Sequence, residues 1–522
     1  MTQALSLEWA YGFSSSLSGS VVNLSTPDGS VRKLCYIAAH TAVIYDCNTR
    51  TQMVLQGHCN PITCLVATED RSVVATADAG PDSMIVLWNV ATGQPVHTIS
   101  SPHANGVAAM DLTPDGTAIV TVSAAAPAAA AEQEVHVWDL GAEGDEPVLA
   151  GVVPEGDVQT CVRFHPNSTG ELVTNGKQRV FFWSSQMPLS RELRYYSPPV
   201  SARDFKQTVG DFTVSAFTPS APGSKGGTVR CVTGTADGDI VVWDSGGVAP
   251  GGAAAAAAAG MRANDRRAIK ILRIHHAAVT FLSTVAGARG TGPTHLVSGG
   301  AEGNVRFFDA KFRLVAWFDG LAGGGITSVS FTPAATHNGA LDSFGDDEGG
   351  GDAPPTGGFD APNFVVGTDA SNVFAVRAAT FEESGSAEAI RTAELVLEGT
   401  PDAVTAMATH PSQPVLACLG AGGLAWTWNY TTRAVDVKRD LCHRGQGPKP
   451  SALCYRSDGR GILVGTVGGG LKALDAETLA EVQVMRFTPH RVIRVVVSDD
   501  VKCSHAAVAD SGGGGGLFCL PR

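Results

Sequence analysis

Few residues in this chain have the types and spacing that chemistry needs. His58 and Asp82 flank an apolar pattern in "GHCNPITCLVATEDRSVVATADAGPDSMIVLWN" (57–89), and a histidine beside a carboxylate is the pairing used in general acid–base catalysis. His275 and His276, adjacent in "RIHHAAV", are the pair best suited to a metal ion. Asp342, Asp346, Asp347, Glu348 and Asp352 crowd one acidic run, but the run lacks the alternating oxygen ligands and closing Glu of an EF-hand loop. The 11 cysteines are scattered without a CxxC pair, and Cys161, Cys231 and Cys418 sit inside apolar runs. Buried free thiols explain them better than a disulfide framework or a zinc site. No GxSxG elbow, P-loop or HExxH occurs. Neither an enzyme, a metal nor a cofactor is expected.

The elements that hold these residues repeat. "IVLWNVATGQPVHTI" (85–99) has an alternating run ending in Trp, a Thr-Gly turn and a returning run. Variants follow as "EVHVWDL", "QRVFFW", "GDIVVWDSG", "NVRFFDA", "SNVFAV", "GLAWTWNYTTRAV", "GLKALDAETLAEV" and "GGLFCL", and "TAVIYDCNTRTQMVL" precedes them. About ten units recur at roughly 43 to 66 residues, near the repeat of four-stranded propeller blades. Turns such as "TPDG", "HPNSTG", "HPSQP" and "RSDG" join β-forming runs within the units. His58 and Asp82 thus recur in type at a repeat position, and one histidine of the 275–276 pair stands where Gly-His stands elsewhere. Both observations assign them to structure rather than catalysis.

The expected fold is all-β. Ten units exceed one ring of four to eight blades, so one closed propeller of about seven blades should occupy 1–390, and part of a second 391–522. Insertions at 124–133, 246–267 and 334–363 are Gly-, Ala- or Asp-rich and read as surface loops. The chain stops inside a Trp-strand equivalent, so it is expected to be the amino-terminal part of a longer protein, or an incomplete reading of one.

Composition narrows the partners. With 522 residues, 44% hydrophobic and 17% charged, the chain is globular and acidic, with a net charge of −13. "RANDRRAIKILR" (262–273) is the one dense basic segment and reads as a solvated loop and strand start, so no nucleic-acid partner is expected. The start "MTQALSLEWAYG" has no signal-peptide pattern, no apolar run is long enough to span a bilayer, and no membrane partner is expected. The glycosylation patterns at Asn23, Asn167 and Asn429 are then chance matches.

The Gly-His, Thr, Asp and Trp positions resemble the WD-repeat family. In that family His, Ser/Thr, Asp and Trp form a hydrogen-bonded tetrad within a blade, giving the buried indole N–H and the histidine their partners. The resemblance places a tetrad at His58, Thr76, Asp82 and Trp88, and a partial one at Asp237 and Trp243 with no Gly-His before it. Other units depart further: Gly422 stands where Asp would precede Trp428, and several units lack the Trp. "LSLEWAYGFSSSL" (5–17), "IAAHTAVIYDCNTRTQMVLQGHCNPITCL" (37–65) and "VVATADAGPDSMIVLWNVATGQPVHTI" (73–99) resemble, more narrowly, the WD-repeat subunits of the calmodulin- and spoke-associated complex of motile cilia. The third stretch also resembles echinoderm-type microtubule-associated proteins.

This resemblance implies a non-catalytic scaffold of the axoneme at a radial-spoke base. The implied partners are other complex subunits and, directly or indirectly, the doublet microtubule. The alternative is a soluble WD-repeat adaptor in ubiquitin ligation or signalling, whose expression would not follow ciliation.

Overall fold

The computed structural model describes residues 7–125, 132–142, 144, 146–185, 191–200, 205, 208–218, 229–244, 266–286, 294–319, 323–333, 361–377, 393–400, 402–442, 447–498 and 505–520. The greater part of all three insertions, including the whole acidic run from Asp342 to Asp352, lies outside these residues. Strands β1 to β39 and no helix occur among the described residues. They form nine four-stranded antiparallel sheets and one three-stranded sheet. In each sheet the strands lie side by side in chain order, so every sheet is one continuous stretch of sequence.

The chain divides into two compact units, 1–399 and 400–522. The first holds seven sheets, spanning 21–55, 62–100, 107–152, 161–196, 212–273, 279–318 and 326–398. Its end falls at Gly399 rather than near 390 because β28 (Glu394–Glu398) pairs with β27 (Asn372–Val376) and completes the seventh sheet. The second unit holds the sheets at 404–440 and 450–486 and the three-stranded sheet at 492–519.

Central strands are buried on both faces, which is why they read as nearly unbroken apolar runs. In β19 (Asp239–Trp243) every residue is buried. Val241 and Trp243 pack with Val173 and Phe182 of the fourth sheet, whereas Ile240 and Val242 pack with Leu282 and Leu296 of the sixth. The same alternation gives each neighbouring pair of sheets in the first unit a shared buried cluster. A further cluster joins the first sheet to the seventh, with Phe13, Val21, Tyr36 and Tyr45 against Val365 and Val373. Polar contacts reinforce it: Asn23 N–H donates to Ser330 Oγ at 2.9 Å, and Arg32 pairs with Glu394 at 2.8 Å.

Turns explain the local boundaries. Between the first two strands of the second sheet, Asp70 Oδ1 accepts the Ser72 N–H at 3.0 Å and the Thr68 hydroxyl at 2.6 Å. In the third sheet Asp115 Oδ1 accepts the Thr117 N–H at 3.1 Å while Gly116 takes a φ of 71°. An Asp bonded to the backbone two residues on closes the chain on itself, and a left-handed glycine carries no Cβ penalty there.

Candidate functional site

The second sheet builds the most complete side-chain network. Trp88 on β7 (Met84–Asn89) donates its indole N–H to Thr76 Oγ1 on β6 (Val73–Asp78) at 2.8 Å. His58, in the turn before β5 (Ile62–Ala67), places Nε2 2.7 Å from the same hydroxyl. Its Nδ1 stands 3.2 Å from Asp78 Oδ1, with both side chains fully shielded from solvent. Asp78 also accepts the Asn60 N–H and side-chain amide at 3.1 Å each and the Met84 N–H at 2.7 Å.

The carboxylate at His58 is therefore Asp78 and not Asp82, which corrects the sequence expectation. Asp82 is exposed and takes a φ of 54° in the turn between β6 and β7. That turn runs from 79 to 83, two residues longer than the 236–238 turn of the fifth sheet. Counting six residues back from the Trp lands on the turn in both sheets, at Asp82 and at Asp237, whereas the carboxylate that faces His58 sits at the end of β6.

The other sheets vary the network. In the third sheet Trp138 donates to Thr121 Oγ1 at 3.0 Å, and His103 Nε2 lies 2.8 Å from it. In the sixth, His275 joins Ser298 and Glu302 at 2.8 Å each, with Phe308 in the place of the indole, while His276 is exposed. In the fifth, Trp243 donates to Thr233 Oγ1 at 2.9 Å. Ser215 stands where a histidine would, 2.9 Å from Thr233, and donates to Asn175 of the fourth sheet at 2.8 Å. Asp237 lies exposed on its turn, its carboxylate so close to Gly210 that a side chain there would collide with it. Thus His58, Thr76 and Trp88 come together, Trp243 finds a hydroxyl, and Asp82 and Asp237 stay at the surface.

Sequence reasoning missed Asp78, Glu302 and the group His103, Glu134 and His136. The last had a signal. In "EVHVW", Glu134, His136 and Trp138 alternate with Val135 and Val137, so all three polar-tipped residues share one face of β11 (Glu134–Asp139).

These networks are locked rather than reactive. His58, Thr76 and Trp88 are 8%, 0% and 3% exposed, so no substrate-sized molecule reaches them. A larger opening of about 920 Å³ is lined by Asp111, Arg163, His165, Phe217, Phe281 and Val329, drawn from five sheets of the first unit. The Asp111 and Arg163 side chains pair there at 3.7 Å.

Burial fixes the protonation of these histidines and makes stability depend on pH. His103 is pushed down to about 3 by burial and then by neighbouring His136, and His165 to about 4 by burial and then by Arg266. Both remain neutral in the fold at pH values where the unfolded chain takes up protons, so stability falls as pH drops below about 6.5 and levels off only below about 3 to 4. Burial alone would raise Glu302, but hydrogen bonds from His275 and from the Ala277 and His276 amides outweigh it and leave the carboxyl at about 2. Its contribution is present above about 4.5 and lost toward 2. A urea midpoint measured from pH 7 to 5 should therefore fall steadily, and a constant midpoint would contradict these assignments.

The CFAP251 N-terminal domain family matches residues 5–381. Cilia- and flagella-associated protein 251 of Chlamydomonas reinhardtii is 42% identical over 523 residues, covering 97% of this chain and 59% of that protein. The protein of the same name from Tetrahymena thermophila is 30% identical over 499 residues, covering 91% of this chain and 46% of that one. Echinoderm microtubule-associated protein-like 4 of Mus musculus is 24% identical over 258 residues, covering 47% of this chain and 22% of that protein. The chain thus spans about half the length of the first two relatives.

Proposed function

The chain belongs to the family of cilia- and flagella-associated protein 251, and on that premise we propose that it is a non-catalytic scaffold of the motile-cilium axoneme. The family match over 5–381 carries this reading. In the finer form, the protein is a subunit of the calmodulin- and spoke-associated complex, anchors a radial spoke to the doublet microtubule and supports control of ciliary motility. Its partners are the other subunits of that complex and proteins of the spoke base.

The architecture suits the role. Seven sheets, each packed on the next and the first packed on the seventh, support reading the first unit as a closed seven-bladed WD-type propeller, and we read the three sheets of 400–522 as part of a second. Such a body offers a rigid rim and two faces to several partners at once. The chain carries a net charge of −13, so attraction to the acidic microtubule surface by overall charge is excluded. Local patches or other subunits make that contact.

Extraction of isolated cilia with non-ionic detergent tests the reading. The protein should stay in the axonemal pellet and leave it only under high salt or chaotrope. Recovery in the detergent-soluble fraction, with expression that does not follow ciliation, would favour a soluble WD-repeat adaptor instead.

A further inference from the structure

We propose that His103, Glu134 and His136 bind one zinc-type divalent ion on the outer part of the third sheet. Their donor atoms all lie within 4.8 Å of one another. Glu134 Oε2 is 3.7 Å from His103 Nδ1 and 3.5 Å from His136 Nε2. With zinc–nitrogen distances of about 2.0–2.1 Å, ligand atoms of a tetrahedral site stand about 3.4 Å apart. Both separations are too long for hydrogen bonds, and they leave the three groups close enough for a turn of one side chain to bring them to that edge length.

The third sheet differs here from its neighbours. In the second sheet His58 Nδ1 meets Asp78 at 3.2 Å, and in the sixth His275 Nδ1 meets Glu302 at 2.8 Å. His103 Nδ1 is equally buried, its side chain 0% exposed, and like His58 Nδ1 it makes no hydrogen bond, but its carboxylate stands farther off, at 3.7 Å. Where the second and sixth sheets supply Asp78 and Glu302, this one supplies a glutamate and a second histidine, both from one face of β11. Thr121 holds the opposite nitrogen of His103 at 2.8 Å, the kind of outer contact that orients a metal-binding imidazole. Two nitrogens and a carboxylate oxygen suit zinc and its neighbours rather than calcium or magnesium.

The fourth position opens on a cleft of about 560 Å³ between β12 (Leu149–Val152) and β16 (Leu193–Tyr196), which leaves room there for a water ligand. The two rings are stacked, 4.4 Å apart and 23° from parallel. Lone pairs lie in the ring planes, so the ion turns His136 out of the stack toward the cleft. His103 stays on Thr121, and Glu134, 49% exposed at its side chain, swings in.

Titration of the chelator-treated chain with zinc chloride, followed by calorimetry, tests this. We expect one equivalent bound with a dissociation constant on the order of 1 µM or tighter. His136→Ala and Glu134→Gln should each weaken it at least tenfold, and His276→Ala should leave it unchanged. Cobalt(II) should give the intense visible bands of a four-coordinate ion, lost in His136→Ala. Sub-stoichiometric zinc uptake, or undiminished binding by His136→Ala, would overturn the site. Should that variant fail to fold, the cobalt spectrum of the unaltered chain decides, because six-coordinate pale cobalt alone refutes it.

Discussion

Asp78→Ala is expected to destabilise the first unit by about 3–5 kcal/mol, and Asp82→Ala by less than about 0.5 kcal/mol. The contrast follows from placement. Asp78 is fully buried and satisfies both Asn60 donors and the Met84 N–H while facing His58. Its removal takes the acceptor from the Met84 and Asn60 backbone N–H groups, while the Asn60 side-chain amide keeps Pro81 O at 2.7 Å, at about 1–3 kcal/mol for each group left unmade, with partial relaxation. Asp82 is exposed, and alanine at its φ of 54° is the only strain the substitution meets. Urea unfolding followed by tryptophan fluorescence reports both, since Trp88 is the far end of the network. Equal losses in the two variants would refute the assignment of Asp78.

The second large effect is expected at the junction of the first and seventh sheets. Val21 is 2% exposed and packs with Val365 and Val373 across that junction. Val21→Asp puts a carboxyl among mostly apolar side chains, which should cost on the order of 4 kcal/mol or more even with the acid held protonated. No strand is shared across this junction, since each sheet is continuous in sequence. The junction rests on packing and on bonds such as that of Asn23 N–H to Ser330. Hydrogen exchange should therefore quicken first in β1 (Val21–Asn23), β2 (Lys33–Ala38) and β25 (Ile326–Phe331), leaving the fourth sheet protected. A variant as stable as the parent would show that the first unit does not depend on this seam.

Legibility in the sequence followed the length scale of each interaction. The strands ending at Trp88, Trp138 and Trp243 were readable because a half-turn alternation is local and a buried indole demands a nearby hydroxyl. Asp78 was not readable, because the carboxylate facing His58 sits at the end of β6, four residues before the turn position that the count back from Trp88 selects. The partnership of His103 with Glu134 and His136 was hidden by distance along the chain and by the Ala-rich insertion between them. Ser215 replacing a histidine was equally hidden, since a serine in a strand carries no mark of its partner Asn175 in another sheet. The end of the first unit moved to Gly399 because β28 is assigned by pairing, and its sequence "ELVLE" alternates too briefly to announce it.

Cryo-electron tomography of axonemes carrying a bulky tag on this protein, compared with untagged axonemes, tests the scaffold role most directly. Extra density at the base of one radial spoke, repeated along the doublet, is the predicted result. Intact tagged protein in the cell body with no added axonemal density would contradict it.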